Sequence, residues 1–303
     1  MDISKLFKHK KFVYSLEIFP PKKESPYTAI YNTLLKLRGL PVDFISVTYG
    51  QGGTKAQQDL TVEIASLILE TYHIEPVAHL TCLYSEKADV ESALEKFKQN
   101  KIQNIMVLRG DFMADVPGKN VFVHASDLAA FIKERDSSFN LLGACYPECH
   151  NQCESLDQDI ENLKVKLENG VTHLVSQLFF DNDVFYRFLD KAAKAGINVP
   201  ITAGIMPITN TRQIERTVAL SGASVPHKMA RFFSRYANNP EALRDAGLHY
   251  ATEQIVDLID HDVRGVHLYT MNNVETASRI TGAIQNLLDA ENSPAPVPTV
   301  KAN

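Results

Sequence analysis

Four cysteines in 303 residues are too few for a disulfide scaffold. There is also little imbalance of charge: 31 Lys and Arg stand against 36 Asp and Glu, a net of −5. Such a chain has no electrostatic reason to bind nucleic acid or an anionic membrane. No run of about 18 apolar residues occurs, so no helical membrane span is expected. The basic start, MDISKLFKHKKFVYS, lacks the apolar segment and small-residue cleavage site of a secretory signal, and a cytoplasmic location is expected. No GxGxxG follows the first strand-like run and no GxxxxGK[ST] is found, so the common dinucleotide and P-loop sites have no support. The histidine pair that a metal-dependent barrel hydrolase needs near its first strand is missing as well, and no metal is expected.

What is present is a globular composition, 45% hydrophobic and 22% charged, able to bury a large core. Strand-like runs recur: FVYSLEIF (12–19), DFISVTYG (43–50), EPVAHLTC (75–82), NIMVLRGD (104–111), LLGACYPE (141–148), THLVSQLFF (172–180), PITAGIMPI (200–208) and RGVHLYTM (264–271). Between them lie stretches with helical spacing, such as LTVEIASLILETY and LDQDIENLKVKLENG. Eight strand–helix units predict an α/β fold, a single (β/α)8 TIM barrel over residues 1–288. The long insertion HKMARFFSRYANNPEALRDAGLHYATEQIVDLI predicts extra helices between strands 7 and 8, and DAENSPAPVPTVKAN a flexible tail over 289–303. A doubly wound sheet shares this alternation but lacks its glycine fingerprint. The glycine-rich TYGQGGT (48–54) fits a surface loop as well as a ligand loop.

In such a barrel the active site lies at the C-terminal strand ends. Read in order, these ends carry Glu17, then Thr48 and Tyr49, His79 and Thr81, Arg109 and Asp111, Tyr146, Glu148 and His150, Gln177 and Asp181, and Tyr269 and Asn272. The seventh strand ends on Gly204 and Pro207. Singly, each has a plainer reading: Glu17 paired with Lys22 at a solvated rim, His79 as a core histidine, Arg109 with Asp111 as a surface pair. Their coincidence at one end of consecutive strands favours an enzyme. The C-x3-C-x3-C of CYPECHNQC, with Cys145, Cys149 and Cys153, departs from the C-x2-C pairs of structural zinc sites and reads as reduced thiols.

The motifs LEIFPPK, DFISVTYG, AHLTC, LRGD, ACYPECH, DIENLKVK and SQLFFD, in unbroken order from about residue 12 to about residue 285, resemble the 5,10-methylenetetrahydrofolate reductase family, flavoproteins with a β/α barrel catalytic domain. The resemblance implies FAD as cofactor, methylenetetrahydrofolate and NAD(P)H as substrates, a product that feeds methionine synthesis, and a homodimer or homotetramer. It implies a flavin-binding set of Thr48, His79, Arg109, Gly110, Asp111, His124, Ala125, Tyr146, His150, Asp159 and Lys166, with folate contacts at Glu17, Gln177 and Tyr269. Asp159 and Lys166 lie two helical turns apart, so one helix face can turn both toward the cofactor's ribose or phosphates. Glu17 becomes the candidate general acid that protonates the departing folate nitrogen, and Asp111 the carboxylate beside the flavin ring that favours a cationic folate. The resemblance also suggests that nicotinamide and folate take turns on one flavin face.

Bacterial relatives carry Tyr at the position of His124 and Arg at that of Asn273, so a flavin contact and a positive charge for the folate's glutamate tail differ here. No ribose-recognition motif separates NADH from NADPH. With about fifteen residues after the barrel, the adenosylmethionine control of longer eukaryotic relatives is not expected. The alternative reading is a flavin-binding subunit of an electron-transfer complex that does not itself oxidise NAD(P)H, with the cysteine cluster as a docking or metal feature.

Overall fold

A computed structural model describes residues 1–21, 28–49, 55–113 and 116–293. Eight parallel strands, β1 (Val13–Ile18), β2 (Phe44–Val47), β3 (Glu75–Thr81), β4 (Asn104–Leu108), β5 (Asn140–Cys145), β6 (Val171–Ser176), β7 (Ile201–Ile205) and β8 (Gly265–Tyr269), follow one another around a closed barrel. The barrel closes where β8 pairs with β1 in a register running from Val13↔Gly265 to Glu17↔Tyr269. Each falls within one of the eight predicted runs, give or take a residue, because β-branched and aromatic residues in short stretches fit a doubly covered parallel sheet.

Around the strands lie α1 (Leu6–His9), α2 (Thr28–Leu37), α3 (Lys55–Tyr72), α4 (Lys87–Gln99), α5 (Ala125–Arg135), α6 (Leu156–Glu168), α7 (Asn182–Lys194), α8 (Thr211–Ser221), α9 (His227–Tyr236), α10 (Pro240–Asp260) and α11 (Val274–Asn292). Three of them, α8 to α10, occupy the insertion between β7 and β8, where their apolar faces gather on Leu178, Phe180, Ile208, Met229, Phe233 and Leu243. The last helix runs past the expected boundary at 288 to Asn292, whose side-chain amide accepts from Phe12 N at 3.1 Å and donates to Phe12 O at 3.0 Å. Residues 294–303 of the expected tail lie outside the described residues, as do 50–54 of TYGQGGT and Lys22.

Alternation along the strands divides the apolar residues between two cores. On β1, Tyr14, Leu16 and Ile18 join the large layer under the helices. Val13 points the other way, into a smaller cluster with Phe44, Val77, Met106, Leu142 and Val175. The chain start closes the N-terminal end of that interior, with Ile3 and Phe7 packed into the same cluster. Asn104 holds this closure: its Oδ1 accepts from Ile3 N (3.1 Å) and Asn140 Nδ2 (3.0 Å), while its Nδ2 donates to Met1 O and Glu75 Oε1, both at 2.9 Å. Among the described residues no helix is long and apolar enough to cross a membrane.

Candidate active site

The C-terminal mouth of the barrel opens as a cavity of about 500 Å³. Ten of the predicted site residues line it: Glu17, Thr48, His79, Arg109, Gly110, Asp111, Tyr146, His150, Gln177 and Tyr269. They arrive from seven strands or the turns that follow them, because residues spaced by two along a strand share the inner face. Met106, Leu108, Val175 and Met206 supply apolar wall between these polar groups.

Glu17 is still one-fifth exposed, with 21% of its side chain accessible, and lies between two imidazoles. Its Oε2 is 3.6 Å from His79 Nε2 and 3.7 Å from His267 Nε2. Burial pushes the His79 imidazole down to about 4, against the upward pull of Glu17, so His79 is neutral at pH 7. Its Nε2 has no hydrogen-bond partner among the described residues. His267 is held on both nitrogens, sharing a hydrogen bond of 2.7 Å with Ser15 Oγ and one of 3.0 Å with Ser46 Oγ. It stacks on Phe44 and meets Tyr269 edge-on.

Tyr269 crosses the barrel to donate to Ser176 O at 2.8 Å, and burial raises its phenol well above the usual value. Gly204 makes that crossing possible: a Cβ there would lie 2.2 Å from Ser176 O and 2.8 Å from the Tyr269 hydroxyl. Gln177 uses its Oε1 to accept from Leu178 N at 2.9 Å. At the rim Gly110 takes φ +90°, and the Arg109 guanidinium bonds Gln152 and lies 5.0 Å over the exposed Phe112 ring.

Four predicted residues stand outside the cavity wall. Asp159 and Lys166 do share one face of α6, as their spacing predicted, yet that face turns to β5. Asp159 Oδ2 accepts from His150 N at 2.8 Å, and Lys166 Nζ donates to Ala144 O at 2.8 Å. Burial lowers the Lys166 ammonium, and its contact with a strand carbonyl behind Tyr146 makes it a brace for the wall. His124 and Ala125 begin α5, where Val123 N and His124 N both donate to Asp127 Oδ2 at 2.9 Å. Asn273 caps α11 by accepting from Thr276 N at 3.0 Å. It lines a neighbouring cleft of about 350 Å³ with Arg212, Gln213, Arg216 and Thr270.

Of the other strand-end residues, Glu148 turns away to accept from Ser224 N and Asp181 caps α7. All four cysteines are free, Cys82 and Cys145 buried, Cys149 and Cys153 half-buried. Among the described residues no three His, Cys, Asp or Glu side chains converge on a metal-binding point. Sequence reasoning passed over His267 and Ser46. Both lie at inner-face positions, two residues before Tyr269 and Thr48, so the alternation that singled out the strand ends extends to them.

The family model for methylenetetrahydrofolate reductase matches residues 2–285. The methylenetetrahydrofolate reductase (NADH) 1 of Arabidopsis thaliana is 33% identical over 291 residues, covering 90% of this chain and 48% of that protein. The 5,10-methylenetetrahydrofolate reductase of Escherichia coli (strain K12) is 31% identical over 267 residues, covering 88% of each. The chain thus spans about half the length of the plant and yeast relatives and most of the bacterial ones. In structure, it superposes with TM-score 0.67 and 13% identity, over 96% of its length, on a Clostridium thermocellum protein described as uncharacterized and binding two copies of 5-methyl-5,6,7,8-tetrahydrofolic acid; that likeness speaks for the fold alone. By the family match and the bacterial identity together, the chain belongs to the methylenetetrahydrofolate reductase family.

Proposed function

We propose that this barrel reduces 5,10-methylenetetrahydrofolate to 5-methyltetrahydrofolate with NAD(P)H, using FAD, the two substrates reacting in turn. The observation that carries the reading is Glu17, a carboxyl group deep in the cavity with imidazoles on either side and no permanently charged partner among the described residues.

The residues present fit a flavin ring. The Nε2 of buried His79, which has no hydrogen-bond partner among the described residues, and the amide nitrogen of Gln177 offer polar contacts to its edge, and Met106, Leu108, Val175 and Met206 offer apolar faces. The Arg109 guanidinium and the Gly110 turn would meet the more polar part of the cofactor, with Thr48, Asp111, Tyr146 and His150 around them. Bound there, FAD would supply a hydride carrier between nicotinamide and folate.

The chain's own contribution is proton handling and orientation. The folate's methylene bridge opens to an iminium cation only when the departing nitrogen takes a proton. We assign that donation to Glu17, the carboxyl group that lies between the two imidazoles in the cavity. Asp111 at the rim supplies a negative charge that favours the cation. Gln177 and Tyr269 flank the same space and would orient the pterin. Arg212 and Arg216, in the cleft that Asn273 shares, would meet the carboxylates of the glutamate tail.

Anaerobic titration tests the reading. The purified chain reconstituted with FAD should be bleached by NADH or NADPH, and methylenetetrahydrofolate should restore the colour. A chain that binds no FAD, or whose bleached flavin ignores the folate, overturns it.

A further inference from the structure

The proposed reaction leaves the three cysteines of CYPECHNQC unused. Its first cysteine, Cys145, ends β5 and is buried, but Cys149 and Cys153 stand on the segment leading into α6. Two successive tight turns build that segment, with Cys149 N donating to Tyr146 O at 3.2 Å and Cys153 N to His150 O at 2.8 Å. Cys149 adopts φ +74°, a left-handed conformation that a β-carbon disfavours. Its sulfur folds over the turn, 3.5 Å from His150 O and 3.7 Å from Cys153 O, and so lies against the residue that carries the second thiol. From the other side Asn162 Nδ2 on α6 approaches Cys153 Sγ at 3.8 Å.

We propose that Cys149 and Cys153 form a modification site, a dithiol that exchanges with small disulfides of the oxidised low-molecular-weight thiol class to give a bridge across the turn carrying His150. One thiolate attacks the small disulfide, forming a protein–sulfur bond and expelling one small thiolate. The second thiolate attacks the protein sulfur of that mixed disulfide, closes the Cys149–Cys153 bond and expels the other half. The protein gives up two electrons and two protons, and the small disulfide takes them as two thiols. Burial pushes the Cys149 thiol up to about 11, which slows any encounter with a free partner. Closure is intramolecular, and the proximity of the two side chains on one turn, with Cys149 Sγ 3.7 Å from Cys153 O, offsets that penalty. The bridge spans His150, whose backbone N–H is held by Asp159 and whose ring meets Tyr146 edge-on at 4.6 Å, so it would stiffen one wall of the cavity.

The test uses the full chain in its native state, incubated with oxidised glutathione and then read by intact mass and peptide mapping. The expected result is the loss of two hydrogens, a Cys149–Cys153 cross-link, Cys82 and Cys145 still reduced, and full reversal by dithiothreitol. Cys153→Ala should instead hold a stable glutathione adduct on Cys149. Wild-type chain in which both cysteines stay alkylatable, keeps persistent adducts, or bridges to Cys82 or Cys145 overturns the proposal. The readout is a mass, so the proposal stands or falls independently of folate reduction.

Discussion

Acid should unfold this protein through two buried histidines. His79 and His173 both sit inside the barrel and are fully or almost fully buried. His173 shares a hydrogen bond with Thr202 through Nε2 and has no partner at Nδ1. Burial lowers His79 to about 4 and His173 to about 3, against 6.5 in an exposed imidazole. The folded chain therefore keeps both neutral, while the unfolded chain protonates both below about pH 6.5. The unfolded state binds more protons there, so stability is complete above that pH and falls as pH drops. The loss levels off only when the folded state titrates, near 4 and then near 3. Well below about pH 6.5 each group contributes about 1.4 kcal/mol per pH unit and at about pH 6.5 half as much, so two of them remove about 3 kcal/mol between about pH 6.5 and about pH 5. For a domain whose stability is on the order of 5–15 kcal/mol, that is a large share. Urea unfolding at intervals between about pH 7.5 and about pH 5 measures it, in a window where few carboxylates titrate. His173→Gln, which can still bond Thr202, should reduce the slope by about one proton. A slope that is flat in the wild type, or unchanged in the variant, would refute a neutral buried His173.

Other changes have equally definite outcomes. Glu17→Gln should slow folate reduction by roughly 10²–10⁴-fold while leaving flavin reduction by nicotinamide intact, as stopped-flow of the two half-reactions would reveal. Gly204→Ala forces a methyl group against Ser176 O and Tyr269; it should cost about 1–3 kcal/mol in denaturant unfolding and raise the KM for folate. Asn104→Ala strands the Ile3 amide and should lower stability by about 2–3 kcal/mol, with faster hydrogen exchange at residues 1–9. Arg212→Ala should weaken a polyglutamylated folate by about 1 kcal/mol, read as a several-fold higher KM at constant kcat.

The barrel was legible because each strand announces itself by composition and each break by Pro, Gly or a charged cluster. The strand-end logic also carried Glu17, His79 and Tyr269 to one cavity, since a parallel barrel has one chemical end. It was blind in three places. His267 and Ser46 sit one step deeper on the same faces, where alternation could have found them had it been carried inward from the strand ends. Asp159 and Lys166 were assigned the correct shared face, but spacing says nothing of what stands opposite, which proved to be the backbone of Ala144 and His150. The start MDISKLFKH read only as a basic stretch without the features of a secretory signal; that Ile3 and Phe7 close the barrel is a long-range fact no local pattern encodes.

That closure makes the interior a blind cup. With Ile3, Phe7 and the Asn104 hydrogen bonds sealing one end, nothing can enter by one opening and leave by the other. Any two reactants that need the bottom of such a cup must share a single doorway, the first departing before the second arrives. For the proposed reaction, the alternation of nicotinamide and folate would then be a matter of traffic as much as chemistry, and an inhibitor lodged in that doorway would compete with both.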